Sequence, residues 1–439
     1  MTRYNLKLFV SAALLTSLLS VSANAEQLLQ SIQADYKQRL GDLFVDFHRN
    51  PELSTAEVRT ANKLAAELRG SGFEVSEGIG GTGIVALLEN GPGPLVMLRA
   101  DMDGLPLEEK SGLAYASKAK QLDPITGKVF PVMHACGHDV HITSLAGTAR
   151  QMSERRDNWS GTLMLIGQPA EERIRGAKAM MDDNLWERFG QPDYALAFHV
   201  GAGMPAGLIN VQEGSPFAGS DSLDIIIHGV GAHGASPHAG KDPILLGSQI
   251  VVALQTLVSR ELPPREPGVV TVGSFHGGTK HNIISDRAVL QLTVRNTNLE
   301  TRDTLINGIK RIAENLGRAA GLPEDKLPEV ILTKSSTPPT INNAPLVRRL
   351  KAVWQAGLGE RQVVSISSKG MGAEDFAYYG SPEWGSIPTV FFSVGGSVAD
   401  DLRKAPPHHS PLFVIRPEPA VRGGVEGYTT AALTFLGRP

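Results

Sequence analysis

The ten residues Val132–His141, VMHACGHDVH, hold three histidines, an aspartate and Cys136, the only cysteine of the chain. A lone thiol is most often a small buried apolar group, so its neighbours decide whether it has a task. Thiolate, imidazole and carboxylate are the donors that a borderline divalent metal such as zinc selects. Gly137 lets the backbone fold tightly enough for Cys136 and His138 to reach one ion. Four further clusters carry similar chemistry. They are Asp101 and Asp103 in PLVMLRADMD, Glu171 and Glu172 in GTLMLIGQPAEE, His199 in YALAFHV, and His408 and His409 in PPHHSP. The adjacent glutamates have a logic of their own. A hydrolytic metal site needs one carboxylate as ligand and another beside it to take a proton from water. Away from a metal cluster, the same pair reads as a solvated acidic start to a helix.

The elements that must position these groups are legible as short apolar runs. GIVALLE, PLVMLRADMD, GTLMLIGQPAEE and YALAFHV alternate with helical patterns, which predicts an α/β fold with a mainly parallel sheet flanked by helices. In such sheets catalytic groups gather at the carboxyl ends of strands, and the clusters fall there. HACGHDVH sits in a loop opening the next helix. Ahead of the strands, LLQSIQADYKQRLGDLFVDFHRNPELS predicts an amphipathic helix ending before Pro51. TAEVRTANKLAAELRGSGF predicts a second helix, capped by Thr55 and ended at Gly70–Gly72. From about Ser220 the order becomes β-α-β-β-α-β, that of a small open-faced sandwich. A chain of 439 residues exceeds the roughly 250–300 that one core supports. The expected plan is a catalytic domain of residues 26–216 plus 334–439, with a domain of residues 217–333 inserted.

A net charge of −3, with 20% charged residues, gives no electrostatic reason to expect nucleic acid or an anionic membrane as partner. Residues 1–25 have the layout of a secretory signal peptide, with Arg3 and Lys7, an apolar run from Leu8 to Val21, and small residues at Ala23 and Ala25. The run is shorter than the ~20 residues of a spanning helix. Cleavage after Ala25 and export, to the periplasm or outside the cell, are the expectation, with no membrane attachment afterwards.

LRADMDGLP, HACGHDVH, GQPAEE, FHV, GVGAHGASPH…DPI, GG…NIISDRA…R and GAEDF…HHSP follow one another in this order. Together they resemble the amidohydrolase branch of the aminoacylase/carboxypeptidase metallopeptidases, which holds hippurate hydrolases, N-acyl-amino-acid amidohydrolases and auxin-conjugate hydrolases. The resemblance spans nearly everything after the signal sequence and is specific for family, not for substrate. It implies a divalent metal cofactor, two ions per subunit (zinc, manganese, nickel or cobalt), held by Cys136, His138, Glu172, His199 and His409. Glu171 would be the general base and then the acid that protonates the leaving amine. The inserted domain would mediate a homodimer, and the partner's His233 would stabilise the oxyanion. Asn282 and Arg295 would hold the substrate, an N-acyl amino acid or short peptide, with Arg295 suited to its carboxylate.

Departures from the family pattern bear on this reading. In sister branches the Asp101 position is a metal-binding histidine oriented by the carboxylate that corresponds to Asp103. Its absence leaves Asp103 between catalysis and loop support. Arg173, Ile174 and Arg175 replace a glycine-rich stretch, so the two cations either favour an acidic substrate or face solvent. His409 is preferred to His408 as ligand because it directly precedes Ser-Pro. His134, His141 and His238 read as supporting groups or helix caps. A carboxypeptidase or dipeptidase of the same family is the nearest alternative. A binding protein without catalysis has no use for the paired glutamates, and a cysteine hydrolase leaves both them and HHSP unexplained.

Overall fold

The structure, a computed structural model, describes residues 25–367 and 370–438. The expected signal peptide, up to residue 24, lies outside the described residues. The chain forms two compact units. One runs to Pro216 and is completed by Asn342–Ser367 and Tyr379–Pro439; the other comprises Phe217–Ile341 and Ser368–Tyr378. The second unit extends past residue 333 because the strand Glu329–Thr337 pairs along Gly219–His228 and completes its sheet.

The first unit is built on an eight-stranded sheet. At its centre Thr162–Gln168, Leu95–Asp101, Tyr194–Gly201 and Thr389–Gly395 run parallel to one another. Glu74–Ile79 and Gly83–Glu89 add antiparallel strands on one side, and Ile209–Asn210 and Val363–Val364 extend the other. The sheet is thus mainly parallel and flanked by helices, as the apolar runs predict. Val96, Met97, Leu98, Leu163, Met164 and Leu165 are all inaccessible to solvent, because helices cover both faces and leave no polar side to the strands. The helix His138–Ser153 is buried along nearly its whole length and packs on Pro417–Leu436.

One helix start differs from expectation. In the helix Val58–Gly70 the N-cap position falls to Glu57, not Thr55, and the Glu57 side chain bonds no amide of the first turn. Thr55 adopts φ 71°, outside the extended conformation a capping residue needs. Its amide instead donates to Glu57 Oε1 at 2.9 Å.

The second unit has the order strand, helix, strand, strand, helix, strand. Its four-stranded antiparallel sheet runs Gly268–Gly277, Arg287–Asn296, Gly219–His228 and Glu329–Thr337. Leu223, Ile225 and Ile227 alternate inward along one strand and share a core with Ile250 and Leu254 of Pro243–Thr256 and Leu305 and Ile309 of Leu299–Ala319. Asp242 and Asn298 cap these two helices with their side chains. Asp221, fully buried, is gripped by both ends of the Arg302 fork at 2.8 and 2.7 Å.

Candidate metal centre

The carboxyl ends of the central strands collect the chemistry. Asp101 is the last residue of Leu95–Asp101, and Asp103 lies just beyond. His199 lies near the end of Tyr194–Gly201. Glu171 and Glu172 occupy a short 3-10 turn, Glu171–Arg173, after Thr162–Gln168. Cys136 lies at the mouth of the helix that His138 begins. Gly137 between them has φ 83°, and a Cβ there would come within 2.3 Å of Val200 Cγ1. Only glycine fits this position.

Two groups of donors overlap at the thiol. Cys136, His138 and His199 form one, and Cys136, Glu172 and His409 the other, each with ligand atoms within 4.8 Å of one another. Cys136 Sγ lies 3.3 Å from His199 Nε2, and His409 Nε2 lies 3.3 Å from Glu172 Oε2. His138 Nε2 stands 3.9 Å from Glu171 Oε2 and 4.0 Å from Glu172 Oε1. All five residues predicted as ligands, together with Glu171 and Asp103, are therefore brought to one rim. His408 is in neither group: its Nε2 accepts the Ala202 amide at 3.3 Å, and its ring packs edge-on against His199 with centroids 5.1 Å apart.

The electrostatics suit a cation. Burial first, then Glu172, Glu171 and Asp101, push the Cys136 thiol up. Burial opposes charge on His138, but Asp101, Asp103 and Glu172 outweigh it and raise that imidazole to about 10. Without a metal, protons hold the places an ion would take, and metal uptake must release them. His138 Nε2 and Oε1 of Glu172 are buried without a hydrogen-bond partner among the described residues, whereas His138 Nδ1 is turned to Asp103. Buried polar atoms rarely stay unsatisfied. Soft and borderline donors, crowded carboxylates and a buried nitrogen without a partner together fit a divalent metal.

Supporting residues account for the rest. Asp103 Oδ1 accepts the Glu171 amide at 3.2 Å and faces His138 Nδ1 at 3.3 Å. Its Oδ2 accepts the Glu172 amide at 3.1 Å and the Ser54 hydroxyl at 2.6 Å. Asp101 accepts from Arg99 at 2.7 Å and from His141 Nδ1 at 2.5 Å, while His141 Nε2 accepts the Val200 amide at 2.9 Å. Burial would raise Asp101, but His138, Arg99 and His141 hold it well below the usual carboxylate range. With both nitrogens engaged, His141 supports the strand that carries His199. His134 is buried, is pushed down to about 4 chiefly by burial, and has no hydrogen-bond partner among the described residues. Arg173 pairs with Asp123 at 2.9 Å, and Arg175 is exposed. Sequence patterns gave no sign of Ser54, Arg99 or Glu57, each of which has a partner distant in the chain: Asp103, Gln168 and the Ala170 amide.

The residues implied for substrate and oxyanion belong to the second unit. His233 is exposed, and its Nδ1 accepts the Ala235 amide at 3.0 Å, which leaves the proton on Nε2. Asn282 Oδ1 is buried without a partner among the described residues, and burial lowers Arg295 against the opposing pull of Asp221.

Residues 97–432 match the sequence profile of peptidase family M20/M25/M40. The chain belongs to that family. Its relatives include the hippurate hydrolase of Campylobacter jejuni, 38% identical over 76% of this chain and 82% of that protein. The N-acetyl-L-cysteine deacetylase of Bacillus subtilis is 34% identical over 80% of this chain and 79% of its own length. Among solved structures, the dinuclear metal-binding M20 peptidase YXEP of Bacillus subtilis superposes with a TM-score of 0.75 at 28% identity, covering 92% of this chain and 99% of that one. Family and site together make the protein a metal-dependent amidohydrolase/peptidase.

Proposed function

We propose that this enzyme cleaves N-acyl amino acids of the hippurate type into a carboxylic acid and an amino acid. The observation that carries the reading is Glu171, set 3.9 Å from His138 beside two ligand groups that share Cys136. Cys136, His138, Glu172, His199 and His409 would hold the metal, and the shared thiol supports two ions per subunit. When bound, a divalent metal lowers the pKa of water and polarises the scissile carbonyl. Glu171 takes the proton from the attacking water and returns it to the nitrogen of the leaving amine. His233 Nε2–H donates to the developing oxyanion, from the partner subunit of a homodimer. Arg295, which enters no ion pair among the described residues, takes the substrate carboxylate as a planar fork, and Asn282 holds the amide.

The surface of the second unit supports dimerisation. Its strand Gly268–Gly277 is an edge of the sheet, and the helix Pro243–Thr256 exposes Leu245 and Val252 at 59% and 72%. Unpaired edges and apolar stripes of this kind are ordinarily covered by a partner. Export rests on residues 1–25, and the N-terminal sequence of the mature protein from the native host checks it.

The deciding experiment assays a panel of N-acyl amino acids beside dipeptides, before and after chelation. Acyl amino acids are expected to exceed dipeptides in kcat/KM by at least about tenfold, or ~1.4 kcal/mol of transition-state preference. Chelation abolishes this turnover and divalent metal restores it. A preference for dipeptides would favour the carboxypeptidase reading, which relatives such as the thermostable carboxypeptidase 2 of Saccharolobus solfataricus, 33% identical, keep in view.

A further inference from the structure

The turn that presents Glu171 and Glu172 is made of residues that resist its shape. Ala170 has φ 50° and Ile174 φ 52°, left-handed values that are unfavourable for L residues and most of all for β-branched ones. Such backbone persists only where its surroundings over-determine it. Asp103 takes the amides of Glu171 and Glu172, and Arg173 is tied to Asp123. Gly176 closes the turn so tightly that a Cβ there would meet Pro169 O at 1.5 Å.

The remaining anchor is Glu57. Its Oε1 accepts the Ala170 amide at 2.8 Å and the Thr55 amide at 2.9 Å, and its Oε2 accepts the Thr82 hydroxyl. One carboxylate thus holds two left-handed residues, Ala170 and Thr55. Glu57 is 0% exposed, and burial, reinforced by Asp103, raises its carboxyl to about 7. A helix-capping residue at a surface carries no such burden, because burying a carboxyl is unfavourable unless its bonds are needed.

We propose that Glu57 is a positioning residue for hydrolysis: by holding the Ala170 amide it fixes the strained turn, and with it the Glu171 carboxylate. This rests on the reading of Glu171 as general base. Steady-state kinetics on the metal-loaded mature enzyme, with metal content measured alongside, test it. Glu57→Gln keeps an acceptor oxygen for both amides and can donate its NH2 to Thr82. Glu57→Ala leaves the buried Ala170 amide without an acceptor. The expected result is a loss of ~10–100-fold in kcat for Glu57→Ala, with KM within ~3-fold, since a displacement of about 1 Å costs ~100-fold. Glu57→Gln should stay within ~3-fold of wild type.

Wild-type kcat in Glu57→Ala overturns the proposal, and so does a loss confined to KM or a Gln variant as impaired as Ala. Where Glu57→Ala does not fold, Thr82→Val gives the answer, because it removes only the hydroxyl that steadies Oε2. That variant should lower kcat by ~3-fold or more at constant KM, and an unchanged kcat overturns the proposal. Glu171→Gln, assayed in parallel, separates the two ideas. Turnover surviving there sinks the general base, whereas its loss beside an unimpaired Glu57→Ala sinks only the role of Glu57.

Discussion

Asp103→Asn changes one oxygen to nitrogen at the centre of the site, and its effect can be worked from the hydrogen bonds. Both carboxylate oxygens accept. Oδ1 takes the Glu171 amide, and Oδ2 takes the Glu172 amide and the Ser54 hydroxyl. An asparagine offers one acceptor oxygen and a donor NH2. However the amide is turned, the NH2 meets a backbone N–H. Ser54 can rotate its hydroxyl to accept, but neither glutamate amide can. One amide beside a 1%-exposed side chain is therefore left unsatisfied, at about 1–3 kcal/mol. The bonds that survive lose their charged acceptor and roughly half their strength. Together these terms give a destabilisation of roughly 3 kcal/mol, near the upper end of ordinary point mutations. Relaxation of the turn by about 1 Å would lower kcat by ~100-fold. Denaturant unfolding followed by the fluorescence of the four tryptophans, with kcat and KM, measures both. Ser54→Ala is the control, removing one donor without setting N–H against N–H, at ~1 kcal/mol or less. Wild-type kcat in Asp103→Asn, with stability no worse than Ser54→Ala, would refute the view that Asp103 fixes the glutamate turn.

Glu171→Gln should keep its metal and lose nearly all turnover, on the order of 10²–10⁴-fold for a general base; a fall in metal content instead would mean that the two glutamates have exchanged roles. His233→Ala should lower kcat by about 10²–10³-fold, as loss of an oxyanion donor does, far more than it raises KM, and wild-type turnover would count against a role across the subunit interface. His48 makes a prediction about pH. Burial opposes its charge, but its bonds to Asp139 and Glu109 prevail and raise it to about 9. A raised pKa stabilises fully below the unfolded value near 6.5, and the effect fades as pH climbs to about 9. His48→Gln should therefore cost on the order of 3 kcal/mol at pH 6 and progressively less towards pH 9.5. A pH-independent difference in unfolding free energy would show that the imidazolium is not what His48 contributes.

The central strands were legible because burial on both faces leaves an uninterrupted apolar run, as in Leu95–Asp101 and Thr162–Gln168. The donors were legible because cysteine, histidine and paired carboxylates at strand ends have few structural uses. The second unit likewise announced itself by its element order, and the structure adds that Leu223, Ile225 and Ile227 of its first strand face inward. What escaped was set by partners distant in sequence. Glu57 reads as an ordinary acidic residue at a helix start, and Thr55 is by type the better cap. The Glu57 side chain caps no helix amide; its partner, the Ala170 amide, lies 113 residues away.

Asp101 illustrates the same limit. Its sequence position, that of a metal-binding histidine in sister branches, invites the thought that it replaces one donor by another. Its oxygens are committed elsewhere, Oδ2 to Arg99 and Oδ1 to His141. His141 in turn takes the Val200 amide, beside His199. A carboxylate so engaged has little left for an ion, and one with a fully buried arginine is costly to uncouple. Asp101 therefore acts on the site by fixing the strand end that carries His199 and by adding negative charge 3.6 Å from His138 Nε2. Under the proposed ligand set, Cys136, which the two groups around it share, would supply the donor that Asp101 does not.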